Sequence, residues 1–193
     1  MWNSEESQKG EDIYTEVTST ITEAYFGVTK VLNFKTVDGG NKKIDVKIPA
    51  GIRNNEKIRV LGQGKAGKNG GKNGDLFIRI KIKDSQNLKL NGIDLYTELP
   101  ITPWESALST KVAITGIDEE VMVDVPKGIQ SGEKIIIDDK GYKDGKGGRG
   151  KLVVVVKIMM PTTINEEELK LLKKLKDISN FNPRKAKALW LLT

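Results

Sequence analysis

The chain has 193 residues, a formal net charge of +6 and 37% hydrophobic residues, enough for one domain or two small ones with a buried core. It contains neither Cys nor His, which excludes disulfide frameworks, thiolate or imidazole zinc sites and Ser-His or Cys-His catalytic relays. No apolar run approaches the ~18 residues of a membrane span, and Met1–Glu6 does not resemble a signal peptide. We therefore expect a soluble, cytoplasmic protein with no metal ion or cofactor.

The positive charge comes from 27 Lys and five Arg. Nucleic-acid-binding surfaces favour the Arg guanidinium and interleave it with stacking aromatic rings. Here the Lys residues are dispersed and aromatic residues make up only 6% of the chain. This pattern favours a solvated surface, so nucleic acid is not the expected partner, and attraction toward another anionic partner stays open as the alternative.

Taken in chain order, residues 1–11 are polar and predict a frayed tail. Short runs of alternating apolar and polar residues, separated by Gly, Asn and Asp, then predict strands. In order, these strands are Tyr14–Thr18, Thr29–Thr36, Lys43–Ile48, Lys57–Leu61, Leu76–Ile82, Leu95–Ile101, Lys111–Ile114, Val121–Val125, Lys134–Ile137 and Leu152–Ile158. Thr22–Phe26 and Pro103–Leu108 predict single helical turns, and Glu166–Asp177 predicts a longer helix. The protein is expected to be mainly β.

An internal repeat organises these strands. Residues 44–58 align with residues 121–135 at an offset of 77, with seven identical positions. The alignment extends outward on both sides, and each copy carries a Pro-x-Gly turn after a strand, at Pro49–Gly51 and Pro126–Gly128. Two tandem β-units of similar size, joined near Ser85–Gly92, are therefore predicted.

The candidate catalytic motifs lack the sequence context that their chemistry requires. Gly62–Asn69 matches the letters G-x-G-x-x-G, but the following Gly70–Gly74 cannot open a helix that would hold a phosphate. We interpret this stretch and Lys140–Gly150 as mobile hairpin loops. Carboxylate pairs such as Asp138-Asp139 stand beside turn residues and are interpreted as exposed loop charge. No enzyme is expected.

Apolar residues of the first repeat fall on both faces of its strands. Period-2 alternation places Leu32 with Phe34 on one face of their strand, and it likewise groups residues around Ile44 and around Ile78. A sandwich core explains most of them. A surplus apolar stripe beside a sheet edge is the alternative, because it could accept an extended apolar segment by strand addition.

Several ordered motifs resemble one family. They are Ile21–Gly27, Ile48–Ile52, Gly74–Ile78, Asp94-Leu95, Thr102–Leu108, Val125–Ile129, Gly150–Leu152 and Asn180–Arg184. Together they resemble the C-terminal substrate-binding region of DnaJ-type heat-shock cochaperones. The resemblance implies two β-sandwich-like domains, each with a short helix, followed by a C-terminal helix and dimerisation segment.

On that basis the chain divides into a polar tail at 1–11, β-domains at 12–87 and 88–161, a dimerisation segment at 162–184 and an unassigned tail at 185–193. The short turn Val37–Asn41 stands where the zinc-containing class carries its insertion, so the zinc-free class is implied. Without His, the chain is expected to lack the J-domain, whose His-Pro-Asp loop stimulates a DnaK-type ATPase.

The resemblance also implies the sites. The peptide groove of the first domain falls on Val17, Leu32, Phe34, Ile44 and Ile78. The acidic C-terminal tail of a DnaK-type chaperone would be bound through Lys30, with Lys35 and Lys43 as further contacts. The expected partners are thus unfolded client proteins, as in a stress response, and a DnaK-type chaperone.

The C-terminal helix carries an apolar stripe formed by Leu171, Leu172, Leu175 and Ile178. Three turns are too short to be stable alone, so this stripe must pack either on its own β-domain or on a second subunit of a homodimer. An alternative function for the whole chain is a non-catalytic β-module that binds nucleic acid or another polyanion through its Lys/Gly-rich loops.

Overall fold

The computed structural model describes residues 6–35 and 40–186, and the side chains of Lys35 and Ala186 lie outside that description. Most of the turn predicted at Val37–Asn41 and most of the tail at 185–193 also lie outside the described residues. The chain forms two compact units, one up to Ile158 and one from Met159 onward. Among the described residues, no helix is long and apolar enough to cross a membrane.

The described residues form eleven strands and four helices, so the prediction of a mainly β protein is confirmed. The strands are β1 (Ile13–Thr20), β2 (Val28–Lys35), β3 (Asn41–Ile48), β4 (Lys57–Val60), β5 (Leu76–Lys83), β6 (Lys89–Asn91), β7 (Asp94–Ile101), β8 (Thr110–Thr115), β9 (Glu120–Val125), β10 (Lys134–Ile137) and β11 (Leu152–Ile158). The helices are α1 (Ile21–Phe26), α2 (Pro103–Leu108), α3 (Glu166–Ile178) and α4 (Pro183–Ala186). All the predicted elements are present, and β6 and α4 were not predicted.

The two repeats share one strand topology. In the first, β5 pairs in parallel with β1 and antiparallel with β4, which gives the order β1-β5-β4. In the second, β11 pairs in the same way with β7 and β10, and the short β6 is added beside β7. The hairpins β2-β3 and β8-β9 occupy corresponding places in the two repeats. The predicted duplication is therefore visible in the sheets.

Local sequence explains where the short helix of each repeat begins and where the chain reverses direction. Helices α1 and α2 both start at a capping box, formed by Thr20 with Glu23 and by Thr102 with Glu105. In the two Pro-x-Gly turns, Gly51 and Gly128 have φ angles of 79° and 83°, a region that other residues adopt at a cost. The turns predicted there are confirmed.

Alternation along the strands builds the core. On β3, Ile44, Val46 and Ile48 are buried, while the residues between them are exposed. The central strand β11 is apolar almost throughout because it has a neighbour on each side and is covered on its inner face. Buried side chains of both repeats belong to one hydrophobic cluster.

The two repeats also contact each other through aromatic and charged side chains. The ring of Tyr142 is buried and its hydroxyl donates to the carbonyl oxygen of Ile52 at 2.7 Å. The hydroxyl of Tyr25 donates to Asp118 at 2.9 Å, and Arg149 donates to both oxygens of that carboxylate at 2.9 and 3.1 Å. The segment that holds Tyr142 is thus packed against the first repeat, which corrects its interpretation as a free hairpin loop.

The Gly-rich stretch Gly62–Gly74 is also held by backbone hydrogen bonds. The backbone N–H of Gly10 donates to Lys72 at 2.9 Å, and that of Lys65 donates to Glu11 at 2.9 Å. A Cβ atom at Gly74 would lie only 2.1 Å from the Glu11 carbonyl oxygen, so only glycine permits this approach. The expectations of a mobile loop and of a frayed tail are therefore wrong for these residues, because backbone hydrogen bonds join the two segments.

The second unit contains α3, which begins at a capping box. The side chain of Asn165 accepts from the backbone N–H of Glu168, and the Glu168 carboxylate accepts from the backbone N–H of Asn165. Acidic residues in the first turn and Lys176 in the last turn complement the helix dipole. The helix predicted over Glu166–Asp177 is confirmed and extends one residue further.

Candidate peptide-binding groove in the first repeat

The hairpin β2-β3 and the edge strand β1 hold the residues implied for the groove. In the described part of the chain, β2 pairs only with β3, and β1 pairs only with β5. Each of these strands therefore keeps one edge without a strand partner among the described residues. Lys30 on β2 connects the two elements, because its Nζ donates to the carbonyl oxygen of Thr18 on β1 at 2.8 Å.

The five apolar side chains lie at three depths. Leu32 and Phe34 on β2 are half-buried and pack on the margin of the core. Val17 and Ile44 keep 8% and 9% of their surface exposed, whereas Ile78 keeps none. Ile78 therefore supports the groove from beneath instead of lining it. Leu32 and Phe34 are the side chains that a ligand can reach.

Strand pairing explains this arrangement. Leu32 lies directly opposite Ile44 in the hairpin, so the two side chains share its inner face. Ile78 is the register partner of Thr15 on β1 and of Ile58 on β4, in the centre of the three-stranded sheet. The hairpin and the sheet meet in one buried cluster, which brings the five apolar residues together.

Lys30 is held by an acidic residue that the apolar patterns did not single out. Its Nζ lies 2.8 Å from Oε2 of Glu23, which also accepts from the Thr20 N–H at 2.9 Å and from the Ser19 hydroxyl at 3.1 Å. The hydrogen bond from Lys30, followed by that from Thr20, lowers the pKa of Glu23 to about 2. The spacing Thr20-x-x-Glu23 is the sequence signal that could have located it. An incoming carboxylate must compete with Glu23 for Lys30.

The other two lysines implied for tail binding are placed differently. Lys43 is exposed and pairs with Asn33, so alternation puts it on the hairpin face opposite Leu32. The backbone of Lys35 pairs with Asn41, and its side chain lies outside the description. The described side chains are those of Lys30 and Lys43, and of these two that of Lys30 lies at the candidate groove.

A depression also lies in the second repeat, where the sequence patterns did not point. It is an open groove of about 810 Å³ between the hairpin β8-β9 and the edge strand β10. Its lining includes Thr110, Asp124, Val125, Ile129, Lys134 and Ile135. The strands that flank this groove, β8-β9 and β10, correspond to β2-β3 and β4 of the first repeat.

The residues implied for dimerisation lie on α3. Leu171, Leu175 and Ile178 expose 68%, 57% and 70% of their surface, and Leu172 is half-buried. The first three repeat at i, i+4 and i+7, which places them on one helix face. This face is thus an exposed apolar stripe.

Comparison with known proteins identifies the β-repeats. Residues 13–161 match the family model described as the DnaJ C terminal domain. Proteins named "Curved DNA-binding protein" are similar: that of Pseudomonas putida (strain GB-1) is 33% identical over 92% of this chain, and that of Coxiella burnetii (strain Dugway 5J108-111) is 32% identical over 95%. The chain spans 58% and 61% of the length of these two relatives. The resemblance read from the motifs is confirmed, and the chain belongs to the DnaJ C-terminal domain family.

Proposed function

We propose that this chain is the module of a DnaJ-type cochaperone that holds extended apolar segments of non-native proteins. One observation carries the proposal: Leu32 and Phe34 are reachable beside an edge of β2 that has no partner among the described strands. A client segment would pair its backbone with that edge and insert alternate side chains over the two residues. Binding of this kind requires no covalent step.

The expected affinity is modest. Burying two Leu-sized client side chains contributes about 1.5–3 kcal/mol each. The cost of association and of ordering the client offsets much of this gain, which leaves binding that is about micromolar or weaker. Since native proteins keep such segments buried, the groove would select unfolded chains and shift their equilibrium by mass action.

The test compares two faces of one strand. Leu32→Ser and Phe34→Ser should reduce the ability of the chain to suppress aggregation of an unfolded model client. Val31→Ser is the matched control, because Val31 directly precedes Leu32 on β2, points to the opposite face and is 57% exposed. Thermal unfolding of each variant separates loss of the groove from loss of the fold. Unchanged suppression by the folded Leu32→Ser variant would reject the groove.

We further propose that the acidic tail of a DnaK-type chaperone binds at the same edge through Lys30. The tail carboxylate would take over the ammonium that Glu23 now neutralises at 2.8 Å. Binding of an acidic peptide should weaken with salt and with Lys30→Ala, and should not change with Lys47→Ala on the other hairpin face. Equal effects of the two variants would show general charge attraction instead of tail recognition.

A second copy of the chain is the proposed occupant of the α3 stripe. A three-turn helix with this much exposed apolar surface gains stability by packing on a partner. Two linked grooves would raise the affinity for a long client by about 10²-fold through effective concentration. The homodimer and its client binding are therefore coupled parts of one proposal.

Polyanion binding is the second candidate function, and the name of the similar proteins, "Curved DNA-binding protein", favours it. Two lysines of the Lys/Gly-rich loops are already paired with carboxylates. Lys65 is paired with Glu11 at 2.5 Å, and Lys140 is paired with Glu119. Both cations would have to leave a carboxylate before they could meet a phosphate.

A further inference from the structure

The outer face of the sheet β1-β5-β4 carries a row of aromatic and guanidinium groups. Tyr14, Phe77 and Arg59 are register partners across the three strands. The rings of Tyr14 and Phe77 stack with centroids 5.2 Å apart and an angle of 12° between their planes. The guanidinium carbon of Arg59 lies 5.8 Å from the centre of the Phe77 ring. The row thus forms a stack of two rings with a cation over one of them.

A second row of charged side chains runs beside it. Glu16, Arg79 and Lys57 are the next register partners, and an Arg79 nitrogen lies 3.5 Å from the Glu16 carboxylate. Alternation places Lys81 and Lys83 further along the same face of β5. With Arg59, five cations stand against two carboxylates, those of Glu16 and Asp75, an excess of three positive charges. This face attracts anions.

The two rows enclose a depression of about 250 Å³. Its lining consists of Tyr14, Thr15, Glu16, Lys57, Phe77 and Arg79. Tyr14 exposes 69% of its surface at the rim. An aromatic ring this exposed, stacked and flanked by cations offers a surface on which a planar ligand can lie.

The second repeat provides an internal comparison. The register partners that correspond to the aromatic row there are Tyr96, Val153 and Ile136. Those that correspond to the charged row are Glu98, Val155 and Lys134. Both arginines and the second aromatic ring are therefore replaced by aliphatic residues. The second repeat keeps one ring with one cation, Tyr96 with Lys134 Nζ 6.0 Å from its centre, whereas the stacked ring pair and the two arginines belong to the first repeat.

We propose that this outer face binds single-stranded nucleic acid. One base would stack on Tyr14, and the adjoining phosphates would contact Arg79 and Lys57. Aromatic side chains that stack on bases, flanked by cations that track the backbone, are the physical basis of single-strand binding. A duplex keeps its base faces covered by neighbouring pairs, and an acidic peptide has the charge but no π-face. An unpaired strand is thus the ligand whose chemistry matches both rows.

The proposed site is separate from the peptide groove. Tyr14 and Phe77 alternate with residues that point into the core, among them Val17 and Ile78. They therefore lie on the opposite face of the sheet from the groove side chains. A variant of one face leaves the other intact, so the two proposals can fail independently.

The test measures binding of the full chain to a fluorescent strand of about 12 thymidylates and to an abasic strand with the same number of phosphates. We expect the thymidylate strand to bind at least about fivefold more tightly than the abasic strand. Tyr14→Ala should remove most of that advantage, and Tyr14→Phe should retain it. Arg79→Ala should weaken both strands and lower the slope of log affinity against log salt by about 0.7.

The matched control is Tyr96→Ala, which removes the corresponding ring of the second repeat and should change binding less than about twofold. Arg59 is left in place, because it binds Asp75 at 2.6 Å and the Asp75 side chain is only 7% exposed. Thermal unfolding should be similar for wild type and Tyr14→Ala, since the ring is largely exposed.

Four results with nucleic-acid strands would each overturn the proposal. They are equal affinity for the abasic strand, no effect of Tyr14→Ala, the same loss with Tyr96→Ala, and tighter binding of duplex DNA. A polyglutamate peptide that binds as tightly and depends equally on Tyr14 would also overturn it, because the face would then bind acidic peptides. The aggregation assay with Leu32→Ser is unaffected by any of these outcomes.

Discussion

The contact of Tyr142 with Ile52 gives a sharp test of how the two repeats are joined. Tyr142→Phe removes one hydroxyl and keeps the ring, which is 1% exposed and packs beside Tyr25 at a centroid distance of 5.8 Å. The lost hydrogen bond is 2.7 Å long and buried. Because the Ile52 carbonyl loses its buried donor while no cavity forms, the free energy of unfolding should fall by about 1–3 kcal/mol.

Urea denaturation followed by circular dichroism measures this loss. Tyr14→Phe is the matched control, since it deletes the hydroxyl of a tyrosine that is 69% exposed and should stay within about 0.5 kcal/mol of wild type. A loss of 1 kcal/mol corresponds to a fall of about 2–4 °C in melting temperature for a chain of this size. Equal stability of the two variants would refute the idea that this hydroxyl joins the repeats.

The pH dependence of the stability provides a second test of the Tyr142 hydroxyl. Burial raises the pKa of Tyr142 to about 12, above its ordinary value of 10.0. The neutral hydroxyl is therefore favoured in the folded state, and its contribution to stability is complete below about pH 10. That contribution is lost as the pH rises from about 10 to about 12. The stability difference between wild type and Tyr142→Phe should narrow over this interval, and a constant difference would contradict the assignment.

Three further predictions concern other parts of the chain. The pKa of Glu23 is lowered from 4.5 to about 2, so its contribution to stability is present above about pH 4.5 and lost toward pH 2. Thermal unfolding of Glu23→Gln should therefore be less sensitive to acid than that of wild type. Gly74→Ala should destabilise the chain more than Gly128→Ala in the same assay, because the new Cβ would meet the Glu11 carbonyl at 2.1 Å, whereas Gly128 has open space and only a strained φ. Leu175→Glu should convert a dimer into a monomer in sedimentation, and an unchanged dimer would show that α3 is not the contact.

The strands and turns followed from local patterns. Alternation on β3 and the apolar run of β11 are properties of neighbouring residues, and the Pro-x-Gly turns require only a fixed φ followed by a positive one. β6 was not predicted because its three residues, Lys89–Asn91, are too few to establish a period and form a strand by pairing with β7. The burial of Tyr142 was not predicted for a similar reason, because it depends on contact with a turn that is distant in the sequence.

The candidate site was predictable only in part. The resemblance named the apolar residues, and the structure brings them to one cluster, yet it buries Ile78 completely and leaves Leu32 accessible. Depth of burial depends on how the hairpin meets the sheet, which no single strand encodes. The partner of Lys30 and the outward direction of Lys43 likewise became clear only once the strands were paired.

The sequence by itself determined the mainly β architecture, the duplication and the family, because alternation, turn residues and repeated motifs are all short-range features of the chain. Tertiary structure decided which side chains are reachable, which lysines are already neutralised and which residues of separate strands stand side by side. The row of Tyr14, Phe77 and Arg59 illustrates the difference. Its members lie far apart in sequence, and hydrogen bonding between strands is the interaction that brings them together.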